Sequence, residues 1–250
     1  IGRAGLVEAD RLTLLQTRPL GIRGVTNPLP ASGAADPEGL DDARANAPLT
    51  VLTLDRIVSL RDFEDFARAF AGIGKARAAD VWRGATRLVH LTVAGVDGAT
   101  VPAASDLYAN LVRAIDGLRD PIHQLAVASY APRRFGLEAG VLVDPRLVAA
   151  DVLARVADAL RAAFAFAARG FGQPVTAAEV VTVMQGVAGV VAVDLDRLAL
   201  DDPAAPAASG AGPAAVLPAR LARLNPDGTI APAELLLLDT AGVRLRESTA

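Results

Sequence analysis

The sequence has 250 residues, 52% hydrophobic but only 4% aromatic, which is enough for one large domain or two small ones with cores of Ala, Leu and Val rather than rings. Its net charge of −3, with Arg scattered among acids and no basic stripe, argues against a nucleic-acid partner, and the absence of Cys excludes disulfides and thiolate metal sites. No apolar run reaches the roughly 18 residues of a membrane-spanning helix.

The opening residues, IGRAGLVEAD, have neither the charged-then-apolar order of a signal peptide nor an initiator Met, so the chain is expected to be part of something longer. RLTLLQT reads as one strand, with Leu12 and Leu14 on one face and a break at Pro19 and Gly21. Residues 27–50 follow, rich in Pro, Gly, Ala and acid, with no large apolar residue between Leu40 and Leu49. SLRDFEDFARAFAGIG is a helix. Ser59 is its N-cap, Asp62 takes the capping-box position, and Phe63, Phe66, Ala67 and Phe70 form one apolar face. Gly72 lies just past its end, where a left-handed residue is wanted.

TRLVHLTVAG is a strand with Val89, Leu91 and Val93 facing one way and Leu88, His90 and Thr92 the other. Residues 104–118 form a helix with Leu107, Tyr108, Leu111, Val112, Ile115 and Leu118 on the buried side; QLAVASY is a second strand. RFGLEAGVLVD is a third, in which Phe135, Leu137, Ala139, Val141 and Val143 alternate with Arg134, Gly136, Glu138 and Gly140. Residues 147–168 form the longest helix, with Val152, Val156, Leu160 and Phe164 four apart. Thr176 and Glu179 make a second capping box before a short helix, and GVVAVDL is the last strand of this run. ELLLLDTAGVRL reads as a hairpin with DTAG as its turn.

The expected class is therefore α+β: small modular domains, one of them ferredoxin-like (split βαβ) with a mainly antiparallel sheet, joined by extended linkers. The expected division is a preceding β-rich region at 1–26, an extended loop plus helical segment at 27–86, the ferredoxin-like domain at 87–200, an Ala/Pro/Gly linker at 201–218 and a C-terminal hairpin tail at 219–250.

The signatures of chemistry fall short. GIGKA at 72–76 departs from a phosphate loop at Ala69 and Ala76, and a helix C-cap accounts for its glycines. His90 and His123 have no second His or carboxylate at ligand spacing. Asp194 and Asp196 read as the solvent side of a strand end. The acids Asp36, Glu38, Asp41 and Asp42 lack calcium-loop spacing and suit a helix N-terminus. No catalytic, cofactor or metal site is expected.

Several motifs occur in one order: Val25-Thr26-Asn27-Pro28, then Ala31 to Glu38 (ASGAADPE), then Arg44, then Leu52 to Ser59 (LTLDRIVS), then Asp62-Phe63-Glu64. Together they resemble the baseplate J-like family, wedge proteins of contractile phage tails and related contractile injection systems. FGQPV at 171–175, GVAGV at 186–190 and PAELLLLD at 232–239 resemble the later part of that family. Ala34 departs from the pattern, standing where a second Gly is usual. The resemblance implies a structural baseplate protein, not an enzyme, that links hub, sheath and peripheral parts and helps transmit the contraction trigger. Its implied partners are other wedge subunits, a second copy or a paralogue, and the hub, spike and sheath proteins. Its implied location is the bacterial cytoplasm during assembly and then a phage-tail-like particle. Two other readings stay open: a ferredoxin-like protein-binding module outside any particle, and an enzyme using Asp194 and Asp196.

A segment as poor in core-forming residues as 27–50 is expected to order on a partner rather than on itself. The candidate interface is residues 24–60, and the motif residues that mark it are Asn27, Pro28, Ser32, Gly33, Asp36, Glu38, Arg44, Arg56, Asp62, Phe63 and Glu64.

Overall fold

The computed structural model of the chain describes residues 2–17, 20–31, 34, 36–37, 56–201 and 212–248. It divides into two compact units, Ile1–Ser129 and Tyr130–Ala250, each with its own hydrophobic cluster.

In the first unit, helix α1 (Leu60–Ala69) starts where Ser59 accepts from the Asp62 N–H and the Asp62 carboxylate accepts from the Ser59 N–H, the reciprocal capping box the spacing predicts. Gly72 has the expected left-handed φ of +96° beyond the helix end. The chain then forms strand β1 (Ile73–Arg83), turns at Gly84, and returns as β2 (Thr86–Gly95). Helix α2 (Asp106–Asp116), capped by Ser105, leads to β3 (Gln124–Ser129). The sheet order is β1-β2-β3, antiparallel then parallel. β2 is central and both its faces are buried, which is why it reads as a near-continuous apolar run. Phe63 and Ala67 of α1 and Leu111 and Ile115 of α2 pack with Ala78, Val89, Leu91 and Val93.

In the second unit, β4 (Ala131–Val143) is the middle of a sheet ordered β10-β4-β6, with β6 at Val190–Leu200 and β10 at Glu234–Glu247. Helices α3 (Ala149–Ala163) and α4 (Ala177–Gln185) supply the other half of its core. Val152, Val156, Leu160 and Phe164 are all buried, as their spacing predicts, and Phe164 meets Phe135 edge to face at 5.3 Å. The alternation in β4 holds too: the odd-numbered residues 135–143 fill the core, and Glu138 faces the charged side. Two short pairs complete the unit, β5 (Val175–Thr176) with β7 (Val216–Leu217) and β8 (Arg223–Leu224) with β9 (Ile230–Ala231).

The α+β class holds, but the ferredoxin-like plan expected over 87–200 is not the arrangement. β1 was not expected, because KARAAD is poor in β-branched residues. As the hairpin partner of β2 it fills one edge of that strand while β3 fills the other. β4 and β6 therefore lie in the other unit's sheet, and the division falls at 129/130 rather than near 87.

The C-terminal hairpin is corrected as well. Leu235–Leu238 and Val243–Leu245 lie on one strand, β10, that runs parallel to β4 and bulges between Leu238 and Val243. Glycine makes the bulge possible. Gly242 packs onto Gly136, where an added Cβ would approach the Gly242 carbonyl to 2.8 Å. Of the expected linker at 201–218, residues 202–211 lie outside the described residues, and 216–217 form β7.

Candidate subunit interface

Asn27 is the clip of the N-terminal segment. Its side-chain amide donates to the carbonyls of Glu8 (2.9 Å) and Leu29 (3.0 Å), and its Oδ1 accepts from the Leu12 N–H (2.9 Å). The Asp10 N–H donates to the Asn27 carbonyl and the Ala31 N–H to that of Val7, both at 2.8 Å. The Thr26 hydroxyl adds a bond to Asp10. Polar bonds thus hold residues 7–12 against 26–31 with little apolar burial. Leu12, Leu14, Leu20, Ile22 and Leu29 are all exposed, Leu20 fully so. Pro28 is exposed, and Asp36 sits where a Cβ on Gly2 would collide with its carboxylate. Ser32, Gly33, Glu38 and Arg44 lie outside the described residues, as do Asp41, Asp42 and the rest of the segment through 55.

Arg56 is exposed beside a cleft that it lines with Val58, Leu118, Arg119 and His123. The next residue, Ile57, is buried; its N–H donates to the Leu118 carbonyl at 3.2 Å, bringing the chain back onto the core. An adjoining cleft of about 350 Å³ shares Val58 and His123 and is walled by Leu60, Phe63, Asp80 and Arg87. Val58, Ile122 and Trp82, the sole Trp of the chain, are exposed nearby; Trp82 is the cross-strand partner of Arg87.

The Asp-Phe-Glu triplet serves the fold. Asp62 accepts from the N–H groups of Ser59 (2.8 Å) and Val58 (3.0 Å). Partial burial pushes its pKa up, but these donors and the Ser59 hydroxyl outweigh that and hold it below the ordinary carboxylate value. Phe63 is 2% exposed, so it is a core residue with no surface to offer a partner, which corrects its place among the interface candidates. Glu64 accepts from the Ala78 N–H of the edge strand β1 at 3.0 Å and pairs with Arg77 at 3.5 Å. At the opposite edge of the sheet, the Tyr108 hydroxyl donates to the Val127 carbonyl of β3. Both edge strands are thus engaged by helix side chains.

The residues weighed for chemistry are dispersed. His90 is buried on β2 with Thr92 3.3 Å from its Nδ1, and burial lowers its pKa against a smaller opposing hydrogen bond. His123 lies at the rim of both clefts. Asp194 and Asp196 are on the exposed side of β6, where Asp196 pairs with Arg246 at 2.9 Å. Among the described residues no group of three His, Cys, Asp or Glu is placed to hold a metal ion, and no helix is long and apolar enough to cross a membrane.

Two charged hubs escaped sequence reasoning. Arg169 is buried; it donates to Glu179 (2.6 Å) and the Pro174 carbonyl (2.6 Å) and lies 5.3 Å from the Phe164 ring centre. Glu179 therefore turns toward Arg169, and of the second predicted capping box the Thr176 half is present. Glu234, in the PAELLLLD motif, is also buried. It accepts from the Arg220 N–H at 2.9 Å and faces Arg223 and Arg133. Isolated charges between apolar runs were the only signal. The remaining motif glycines are turns: Gly172 and Gly189 have φ of +71° and +98°, and a Cβ on either would collide with a leucine.

Residues 55–128 match the family model described as the Baseplate J-like central domain. That span runs from just before α1 to the penultimate residue of β3, so it ends where the first unit ends. No curated protein matches the sequence. Among solved structures the chain is similar to a chain of the "Cryo-EM structure of the anti-feeding prophage (AFP) baseplate, 6-fold symmetrised", at 15% identity and a TM-score of 0.56. The likeness covers 91% of this chain and 48% of that one, so this chain spans about half the length of the structure it matches. At such identity the likeness establishes fold. The Baseplate J-like family is structural and non-catalytic.

Proposed function

We propose that this chain, which carries a Baseplate J-like central domain at residues 55–128, is a wedge component of the baseplate of a phage-tail-like contractile injection system. In this reading it links hub, sheath and peripheral parts and helps pass the contraction trigger. The observation that carries it is the fold likeness to a baseplate chain over 91% of the sequence. The exposed leucines of the N-terminal segment support it: large apolar side chains held at a surface by polar clips mark protein–protein contacts. The candidate interface is accordingly residues 24–60 with the preceding arm. Asn27 acts by holding that arm in shape, and Arg56 contributes at the cleft. Partners are other wedge subunits, a second copy or a paralogue, and hub, spike and sheath proteins. The chain assembles in the bacterial cytoplasm and is carried into the particle.

Co-production with the sheath, tube, spike and wedge proteins of a contractile injection system tests the proposal. The chain should co-purify in a ring-sized particle, and Leu14→Asp with Leu20→Asp should lower its incorporation while leaving its far-UV circular dichroism unchanged. A chain that stays monomeric beside assembled baseplates overturns the reading.

A further inference from the structure

β10 is held onto its sheet differently on the two sides of its bulge. Before the bulge, Leu235, Leu236 and Leu238 are buried. After it, Val243 and Leu245 are only partly buried against the core, and Arg244, Arg246 and Glu247 are exposed. Besides these contacts and its backbone pairing with β4, this end is held by charge. The Arg246 guanidinium lies over Gly140 of β4, where an added Cβ would stand 3.1 Å from Nη1 and 3.2 Å from Cζ. From there Nη2 donates to both carboxylate oxygens of Asp196 on β6, at 2.9 and 3.0 Å. Adjacent strands are about 4.8 Å apart, so an arginine on one outer strand reaches the other most directly across a middle residue with no side chain. A second rung runs through a middle residue that has one. Arg244 of β10 donates to Glu138 Oε1 of β4 at 3.0 Å, and Arg197 of β6 pairs with the same oxygen at 3.5 Å.

We propose that residues 243–248 are an ionic latch: the two arginine rungs keep the end of β10 on the sheet, and screening of their charges lets it lift while residues 235–238 stay seated. Every side chain of the rungs keeps contact with water, from 33% exposed at Glu138 to 75% at Arg244, so salt reaches them. Each such pair contributes little alone, but both rungs act on the same short end and both tie it to the far strand. The bulge serves as the hinge. The register already shifts between Leu238 and Val243, so lifting the end breaks no continuous ladder. The Ser248 N–H, 2.8 Å from the Val141 carbonyl, is the last backbone bond the latch guards. Release bares the edge of β4 from Leu137 to Val141, an open strand edge with which a neighbouring extended chain can pair.

Amide exchange of the full chain, followed by NMR at constant pH from about 0.05 M to about 1 M NaCl, tests the latch. Protected amides in 243–248, Ser248 among them, should exchange about twofold to fivefold faster at the higher salt, and those in 235–238 should not change. Arg244→Gln with Arg246→Gln should bring the fast rate to low salt and abolish the salt dependence. Glu247→Gln changes the charge of the same strand outside either rung and should keep that dependence. Protection at 235–238 reports in each variant that the sheet has formed. Equal salt dependence in the two halves, none in either, its survival in the double arginine variant or its loss in Glu247→Gln overturns the proposal.

Discussion

Glu64 shows how much a single carboxylate settles. Its oxygen meets the Ala78 N–H of an edge strand, so α1 is fixed to the sheet by a backbone bond as well as by Phe63. Glu64→Ala leaves a part-buried donor unpaired and should cost about 1 kcal/mol in urea denaturation, whereas Glu64→Gln keeps an acceptor and should cost less. His90 makes a prediction in pH. Its folded-state pKa lies below its ordinary 6.5, so the unfolded chain binds the proton more readily. Stability should therefore fall as pH drops below about 6.5 and keep falling to the lowered folded value. His90→Gln should flatten that part of the profile, measured as urea midpoints across the range.

At the scale of elements, the loop between α3 and α4 is set by Arg169 rather than by either helix. Arg169→Met removes the partner of Glu179 and the donor to the Pro174 carbonyl, and should cost about 2 kcal/mol in chemical denaturation. Arg169→Lys should recover little of this, because one ammonium cannot reproduce the planar fork that spans both acceptors. Local signals of this size were legible in the sequence where they were periodic or paired: the Phe face of α1, the four-residue stripe of α3, the alternation of β4 and the Ser59–Asp62 cap. β1 was hidden because Ala and charge suit an edge strand without announcing one. The β10 bulge was read as a turn because Asp239-Thr240-Ala241-Gly242 has turn chemistry, and only the pairing with β4 shows that the strand continues in the same direction. For the candidate interface, the motif order marked a stretch, and its described residues divide. Asn27 and Arg56 lie near the surface, while Phe63 is core, Asp62 caps the first turn of α1 and Glu64 ties that helix to β1.

At the scale of the whole molecule, the two hydrophobic clusters share no residue, and the 129/130 division coincides with the end of the family match. Each unit should therefore fold without the other. Residues 130–250 expressed alone should unfold in one cooperative transition by far-UV circular dichroism, and so should residues 1–129. A piece that gives a sloping, non-cooperative curve would show that its core is incomplete by itself.

The parallel pairing of β10 with β4 also has a consequence for the order of events during synthesis. The register sets Glu234 opposite Ala131, so one side of the sheet's middle strand waits until Glu234–Glu247 has left the ribosome. Until then α3 and β4 can collapse only against β6 and α4, with the places of Leu235, Leu236 and Leu238 unfilled. Contacts so distant in sequence close slowly. The second unit therefore has an aggregation-exposed interval between the making of β4 and that of β10, and a truncation that removes β10 would leave that interval permanent.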